Sequence, residues 1–260
     1  MDRPTGQPAV HRPVLLALDS YGGTMTATQA CHLAADRLAH HRVPTRAHPM
    51  SDGGEGLLDC LAAHRPLRRQ PVPTTDPLGR PRTAALAWDG EVAVVESAEA
   101  VGLHHVHRRR PLDATSAGLG PLLEAAAGAR RVVVGLGGSA TVDGGLGMLQ
   151  ALGLRAEDRR GRPLVGAPAR ELGRVARLVG PPPALPPGTT LADVVTPIAA
   201  AAATFGPQKG LGPAEIAPLT EALRRWAEVL CAYAARQGIN LDPALLLLQS
   251  SEITLGKYLL

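Results

Sequence analysis

The chain has 260 residues, enough for one large or two modest domains with a buried core, and its 45% hydrophobic content is ordinary for a globular protein. Its 27 basic and 23 acidic residues leave a net charge of +4, too small to mark an electrostatic nucleic-acid surface. The one dense basic run, HHVHRRRP at 104–111, has no interleaved aromatic residues on which bases could stack, so it reads as a solvated loop and nucleic-acid binding is not expected.

The N-terminus carries no secretory signal. VLLAL at 14–18 is a short apolar run ending at Asp19-Ser20, which suits a buried strand feeding a loop. From Thr26 the residues Ala30, Leu33, Ala34 and Leu38 recur at helical spacing, with Thr24 or Thr26 as N-cap. MSDGGEGLLDCLAAH then gives a glycine-rich turn and a helix with Leu57, Leu58, Leu61 and Ala62 on one face. AALAWDGEVAVVES reads as two strands joined at Asp89-Gly90. A helix through Leu119, Leu122, Leu123 and Ala126 ends near Gly128, and RVVV at 131–134 returns as a strand. Such alternation predicts an α/β protein with ligand loops at strand ends.

Directly after that strand, GLGGSATVDGGLGML (135–149) puts six glycines into fifteen positions. Gly135, Gly137 and Ala140 match the dinucleotide pattern G-x-G-x-x-A, with Glu157 and Asp158 downstream. That pattern needs a helix at once, whereas here none is expected before Leu146, and Asp143 sits inside the loop. A metal-bound phosphate accommodates both features. SDGGEG (51–56) repeats the mixture of glycine and acid with Asp52 and Glu55. DPLGRP (76–81) offers Arg80 on a proline-bracketed turn, and FGPQKG (205–210) reads as a turn fixing Lys209, one of two lysines in the chain. LVGPPPALPPG at 178–188 reads as a connector without helix or central strand, and PAEIAPLTEALRRWAEVLCAYAA as an amphipathic helix. The runs IAAAAA (198–203) and ALLLL (244–248) are too short to cross a bilayer. Cys31, Cys60 and Cys231 have no ligand spacing, which with the missing signal suggests reduced thiols and a cytoplasmic protein.

Six stretches in order, ALDSYGGTMTA (17–27), MSDGGEG (50–56), DPLGRP (76–81), VVESAEAVGL (94–103), GLGGSATVDGGLGMLQALG (135–153) and FGPQKG (205–210), resemble the type I glycerate kinases over residues 13 to 230. The resemblance implies ATP-dependent phosphorylation of D-glycerate, or a similar hydroxy acid, with Mg²⁺. It also implies a two-lobed α/β fold: a Rossmann-like parallel-sheet lobe, incomplete here, interrupted by an inserted α/β lobe. The boundaries then fall at 1–69 for the start of the first lobe, 70–215 for the inserted lobe and 216–260 for a C-terminal helix and divergent tail. Asp143, Asp52 and Glu55 become the catalytic carboxylates, with Asp143 and Asp52 on the metal. Gly137, Gly138, Ser139, Thr141 and Gly144 form the phosphate loop, with Gly53 and Gly54 beside it. Asp19 and Ser20 face substrate hydroxyls, and Arg80 and Lys209 clamp anionic groups. Gly22 stands where the family has lysine, Val142 where it has asparagine, and DVVTPI (193–198) where it has DVTNPL. An anion- or partner-binding relative without catalysis is the alternative. Neither a membrane nor a nucleic acid is an expected partner, and exposed strand edges of the first lobe invite self-association.

Overall fold

The computed structural model describes residues 12–186, 188–191, 196–239, 247–249 and 252–253. The opening eleven residues and Asp193–Val195 of the DVVTPI stretch, on which sequence expectations were placed, lie outside them. Strand β1 (Val14–Leu16) is followed by helix α1 (Ala27–His40) and β2 (Thr45–Ala47), which pairs parallel with β1. Thr26 caps α1 and shares a capping box with Gln29, which explains where the helix starts. Helix α2 (Leu57–Ala62) then leads into β3 (Arg68–Thr75), β4 (Pro81–Asp89) and β5 (Val92–Glu96). β4 and β5 form the expected hairpin, with Asp89 paired to Val92 and Gly90 at φ 61° in the turn.

Helices α3 (Ser97–Val101) and α4 (Leu119–Ala125) precede β6 (Arg131–Gly135) and α5 (Leu146–Ala151). After β7 (Arg155–Glu157), β8 (Arg177–Val179) and β9 (Gly188–Leu191) come β10 (Thr196–Pro197), α6 (Ile198–Lys209) and α7 (Pro213–Arg236). Two short strands, β11 (Leu247–Gln249) and β12 (Glu252–Ile253), join β10 in an antiparallel sheet.

The main sheet has the order β3-β4-β5-β6-β9, antiparallel from β3 to β5 and parallel from β5 to β9. β3 carries Pro71 and Pro73 and accordingly lies at an edge, where the missing N–H groups cost no ladder bond on the open side. VAVVE and RVVVG occupy the middle, and their residues Val95, Val132 and Val134 are buried. One apolar core lies under this sheet, around Leu86, Leu119, Leu122 and Leu123. A second, around Leu146, Leu149, Leu223, Trp226 and Leu230, joins α5 to α7. By contrast Val14 is 43% and Leu15 59% exposed, so the β1–β2 pair presents apolar surface.

One expectation needs correction. FGPQKG is no free turn: Phe205–Lys209 close α6, and Gly210, at φ 96°, ends it in the left-handed conformation that glycine accepts. The stretch 178–188 holds no helix or central strand among its described residues: Leu178 and Val179 belong to β8 of a two-stranded sheet, and Gly188 opens β9 at the edge of the main sheet. No helix among the described residues is long and apolar enough to cross a membrane.

Candidate functional site

Strands β5 and β6 run parallel in a register that sets Glu96 against Gly135, so the chain leaves both strands at the same end of the sheet. The loop after β6 lies directly on the loop before α2. A Cβ on Gly135 would come within 2.5 Å of the Gly53 carbonyl oxygen, and one on Gly137 within 2.7 Å of the Gly54 Cα. Only bare backbone allows that approach. The glycines expected to cradle phosphate therefore first serve to stack two loops on each other. The backbone N–H groups of Gly137 and Gly138 make no hydrogen bond among the described residues, and Gly138, at φ 64°, is exposed.

Glu96, at the end of β5, holds the other loop. Its carboxylate accepts hydrogen bonds from the N–H of Gly56 (2.8 Å) and of Leu58 (3.0 Å), capping α2 across forty residues of chain. It is only 3% exposed, and burial pushes its carboxyl from 4.5 up to about 7 against the pull of those two bonds. A carboxyl raised in the folded state keeps a proton that the unfolded chain releases. Its contribution to stability is full below about pH 4.5 and is lost as pH rises to about 7. Urea unfolding should thus show stability falling over that interval by on the order of 3 kcal/mol from this group. In Glu96→Gln the fall should flatten; an unchanged slope would assign it to other groups.

Beside these loops opens a cleft of about 360 Å³ between the first turn of α1, α2, Glu96 and the turn Leu103–His105. Four carboxylates line it, Glu55, Asp59, Glu96 and Glu99, together with His104 and no lysine or arginine among the described residues. Asp59 pairs with Arg69, and Glu99 accepts the N–H of Ala85. Cys60, also in the wall, donates to the Met50 carbonyl, and burial with the nearby Asp19, Asp59 and Glu96 charges pushes its thiol up to about 11. The first turn of α1 carries no acidic residue of its own, and its positive end faces a cleft lined by these carboxylates.

Of the candidate residues named from sequence, Ser20 and Glu55 line this cleft. Asp19 is exposed and accepts the N–H of Ser20, while Asp52 is exposed and accepts the N–H of Gly54. Three others hold structural contacts. Asp143 is fully buried, and its carboxylate accepts bonds from Ser116 N–H and Oγ (2.8 Å each), Gly147 N–H (3.0 Å) and Gly145 N–H (3.2 Å). A carboxylate so engaged anchors the 143–147 turn. Burial drives its pKa upward, with these bonds opposing. Lys209 is 1% exposed and donates to Ser139 Oγ (3.1 Å) and the Thr141 carbonyl (2.9 Å). It tethers α6 to the 139–141 loop. Arg80 binds Asp76 (2.5 Å) and the His105 carbonyl (3.2 Å), bracing the 76–80 turn. Thr141 is buried with Oγ1 unpartnered among the described residues, and Gly144 lies under Trp226.

The dinucleotide pattern also fails in context, since α5 begins only at Leu146 and Asp158 is taken by the N–H groups of Arg160 and Arg162 and the Arg162 guanidinium. Two site residues escaped sequence reasoning. Glu96 stood inside a quoted motif, but its role depends on a contact forty residues away. His104 stands in the run read as a solvated loop; the apolar Leu103 and Val106 flanking the His104-His105 pair were the available signal.

Fold and cleft together define an α/β protein whose candidate site lies at the carboxyl ends of parallel strands, the usual place for ligands in such sheets. The sequence profile of the glycerate kinase family matches residues 14–243, and the chain belongs to that family. It is 36% identical over 232 residues to a glycerate kinase of Halalkalibacterium halodurans, covering 84% of this chain and 61% of the relative. To the glycerate 2-kinase of Escherichia coli K12 it is 33% identical over 232 residues, with the same two coverages. The chain therefore spans about three fifths of the length of these curated relatives. A crystal structure described as glycerate kinase 2 of Salmonella typhimurium LT2 superposes with a TM-score of 0.72 at 30% identity, covering 92% of this chain and 67% of that one.

Proposed function

We propose that this chain carries the reacting loops of an ATP-dependent kinase that phosphorylates D-glycerate to 2- or 3-phosphoglycerate. The observation that carries the reading is the stacking of two glycine-and-acid loops, 51–56 and 135–141, at one end of the parallel strands and beside an open cleft. Phosphoryl transfer asks mainly for positioning and charge neutralisation. The open N–H groups of Gly137 and Gly138 suit phosphate oxygens, with Ser139 and Thr141 shaping the same loop.

A cleft this acidic accepts a nucleotide only with a cation. No group of three or more His, Cys, Asp or Glu among the described residues forms a ready metal cage. Mg²⁺ is commonly held by one or two carboxylates plus substrate phosphates. Asp52 is the carboxylate we assign to it; Asp143 does not fit, being buried and engaged. Bound there, the ion would neutralise phosphate charge. The lobe boundaries near residues 70 and 215 belong to the same reading, with β1, α1, β2 and α2 opening the first lobe and the five-stranded sheet forming the inserted one. So do a cytoplasmic location and self-association through the exposed face of β1.

The test is ADP release by the purified chain, coupled to a spectrophotometric readout. ADP formation that requires D-glycerate supports the kinase. Its absence, with nucleotide or glycerate still bound, supports a silent binding relative, which Gly22 in the family's lysine position also favours.

A further inference from the structure

We propose that His104, oriented by Glu55, is the group that meets the hydroxyl of the hydroxy-acid substrate and takes its proton; this rests on the kinase reading above. Among the titratable side chains of the cleft, most are already engaged. Glu96 holds α2 through two backbone N–H groups, Glu99 holds Ala85, and Asp59 holds Arg69. The Cys60 thiol is bound to a carbonyl and pushed up to about 11, far from a neutral-pH base. Glu55 and His104 remain, and they face each other, with Nδ1 of the imidazole 3.5 Å from Oε2 of the carboxylate. Both are partly exposed to the cleft, His104 at 36% and Glu55 at 50% of their side chains.

The position of the imidazole is built. Gly102 has no side chain, and a Cβ there would lie 2.6 Å from His104 Cε1 and 2.8 Å from Nδ1, so the bare residue makes room for the ring. His105 packs edge-on against it at a centroid distance of 3.7 Å. Burial lowers the His105 pKa to about 4, so that ring is neutral and adds no repelling charge. The turn is pinned in turn to the glycine loop by Leu103 N–H on the Gly138 carbonyl (2.7 Å). His104 therefore sits one turn away from the open N–H groups proposed for the phosphate.

A carboxylate beside one ring nitrogen fixes the imidazole with that nitrogen protonated and leaves the other able to accept a proton. Here Nδ1 faces Glu55 and Nε2 is left for the substrate. In the step proposed, the hydroxyl gives its proton to Nε2 and its oxygen forms a bond to the γ-phosphorus of ATP. The bond from that phosphorus to the bridging oxygen breaks, and ADP leaves with the electron pair. The imidazolium then returns the proton to solvent.

Full-length His104→Gln and His104→Ala, measured beside the wild type, test this. If the wild type turns over, His104→Gln should lower kcat by about a hundredfold while the KM for ATP stays within about twofold. Added imidazole should restore part of the rate to His104→Ala, which a merely structural role would not allow. Turnover of His104→Gln within about threefold of wild type, with a thermal melt showing it folded, overturns the proposal. A silent wild type removes the kinase reading. The His104 assignment is then decided by nuclear magnetic resonance, with its Cε1 proton identified from the His104→Gln spectrum. A D-glycerate-dependent shift of that signal keeps His104 as the hydroxy-acid contact; no shift at saturating glycerate overturns it.

Discussion

Asp143→Ala is expected to destabilise the protein by about 3–5 kcal/mol, whatever it does to turnover. A loop acid ordinarily contributes little to folding. This one is fully buried, and four donors depend on it: Ser116 N–H, Ser116 Oγ, Gly145 N–H and Gly147 N–H. Truncation leaves those donors without an acceptor in a place water does not reach, and each orphaned group costs about 1–3 kcal/mol. Ser116 Oγ also accepts the Met148 N–H at 3.0 Å, so the loss spreads into the first turn of α5. Asp143→Asn, which keeps one acceptor but turns a donor toward other donors, should fall between. Urea unfolding monitored by circular dichroism checks this. A loss under about 1 kcal/mol for the alanine variant would show that the carboxylate is not the anchor of the turn.

Trp226→Ala should cost a similar about 3–5 kcal/mol, by a different route. Trp226 is fully buried on α7, in the core that includes Leu146, Leu149 and Leu223. Its Nε1–H donates to the Gly144 carbonyl at 2.8 Å, and its ring fills the space over that glycine, where a Cβ would lie 2.7 Å from Cδ1. Removing the ring opens a cavity and frees the turn that Asp143 holds from the other side. Trp226→Phe keeps most of the packing and loses the hydrogen bond, so about 1–2 kcal/mol is expected. Because the two sites share the 143–147 turn, the double variant Asp143→Ala/Trp226→Ala should lose less than the sum. Additive losses in urea unfolding would show that the anchor and the helix act independently.

The local signals in the chain were sufficient for most elements. Thr26 with Gln29 three residues on is a capping box in sequence and in space, and Asp89-Gly90 between apolar runs is a hairpin. The start of α5 at Leu146 follows from the glycines before it. FGPQKG misled because Gly-Pro and Gly at 210 are turn signals, while the alanine run before them carries α6 through Pro207 to Lys209. Local propensity gave way to a longer apolar helix packed on α7.

Sequence by itself determined the class and the loops: alternating strands and helices, glycine with acid at two strand-to-helix junctions, and the motifs of one family in order. These are properties of spacing and residue type, and short-range sterics govern them. The partners of individual charged groups were decided only by the tertiary structure. Asp143, Lys209 and Arg80 look alike in sequence as polar residues on glycine loops, yet Asp143 is engaged by a partner 27 positions away and Lys209 by one 70 positions away, while Arg80 is braced locally by Asp76. Glu96 and His104 acquire their places in the cleft through Gly56 and Glu55, again far along the chain. Whether a carboxylate or ammonium serves a ligand or the fold depends on its desolvation and on which donors reach it. Those follow from which strands lie side by side, and no local pattern encodes that.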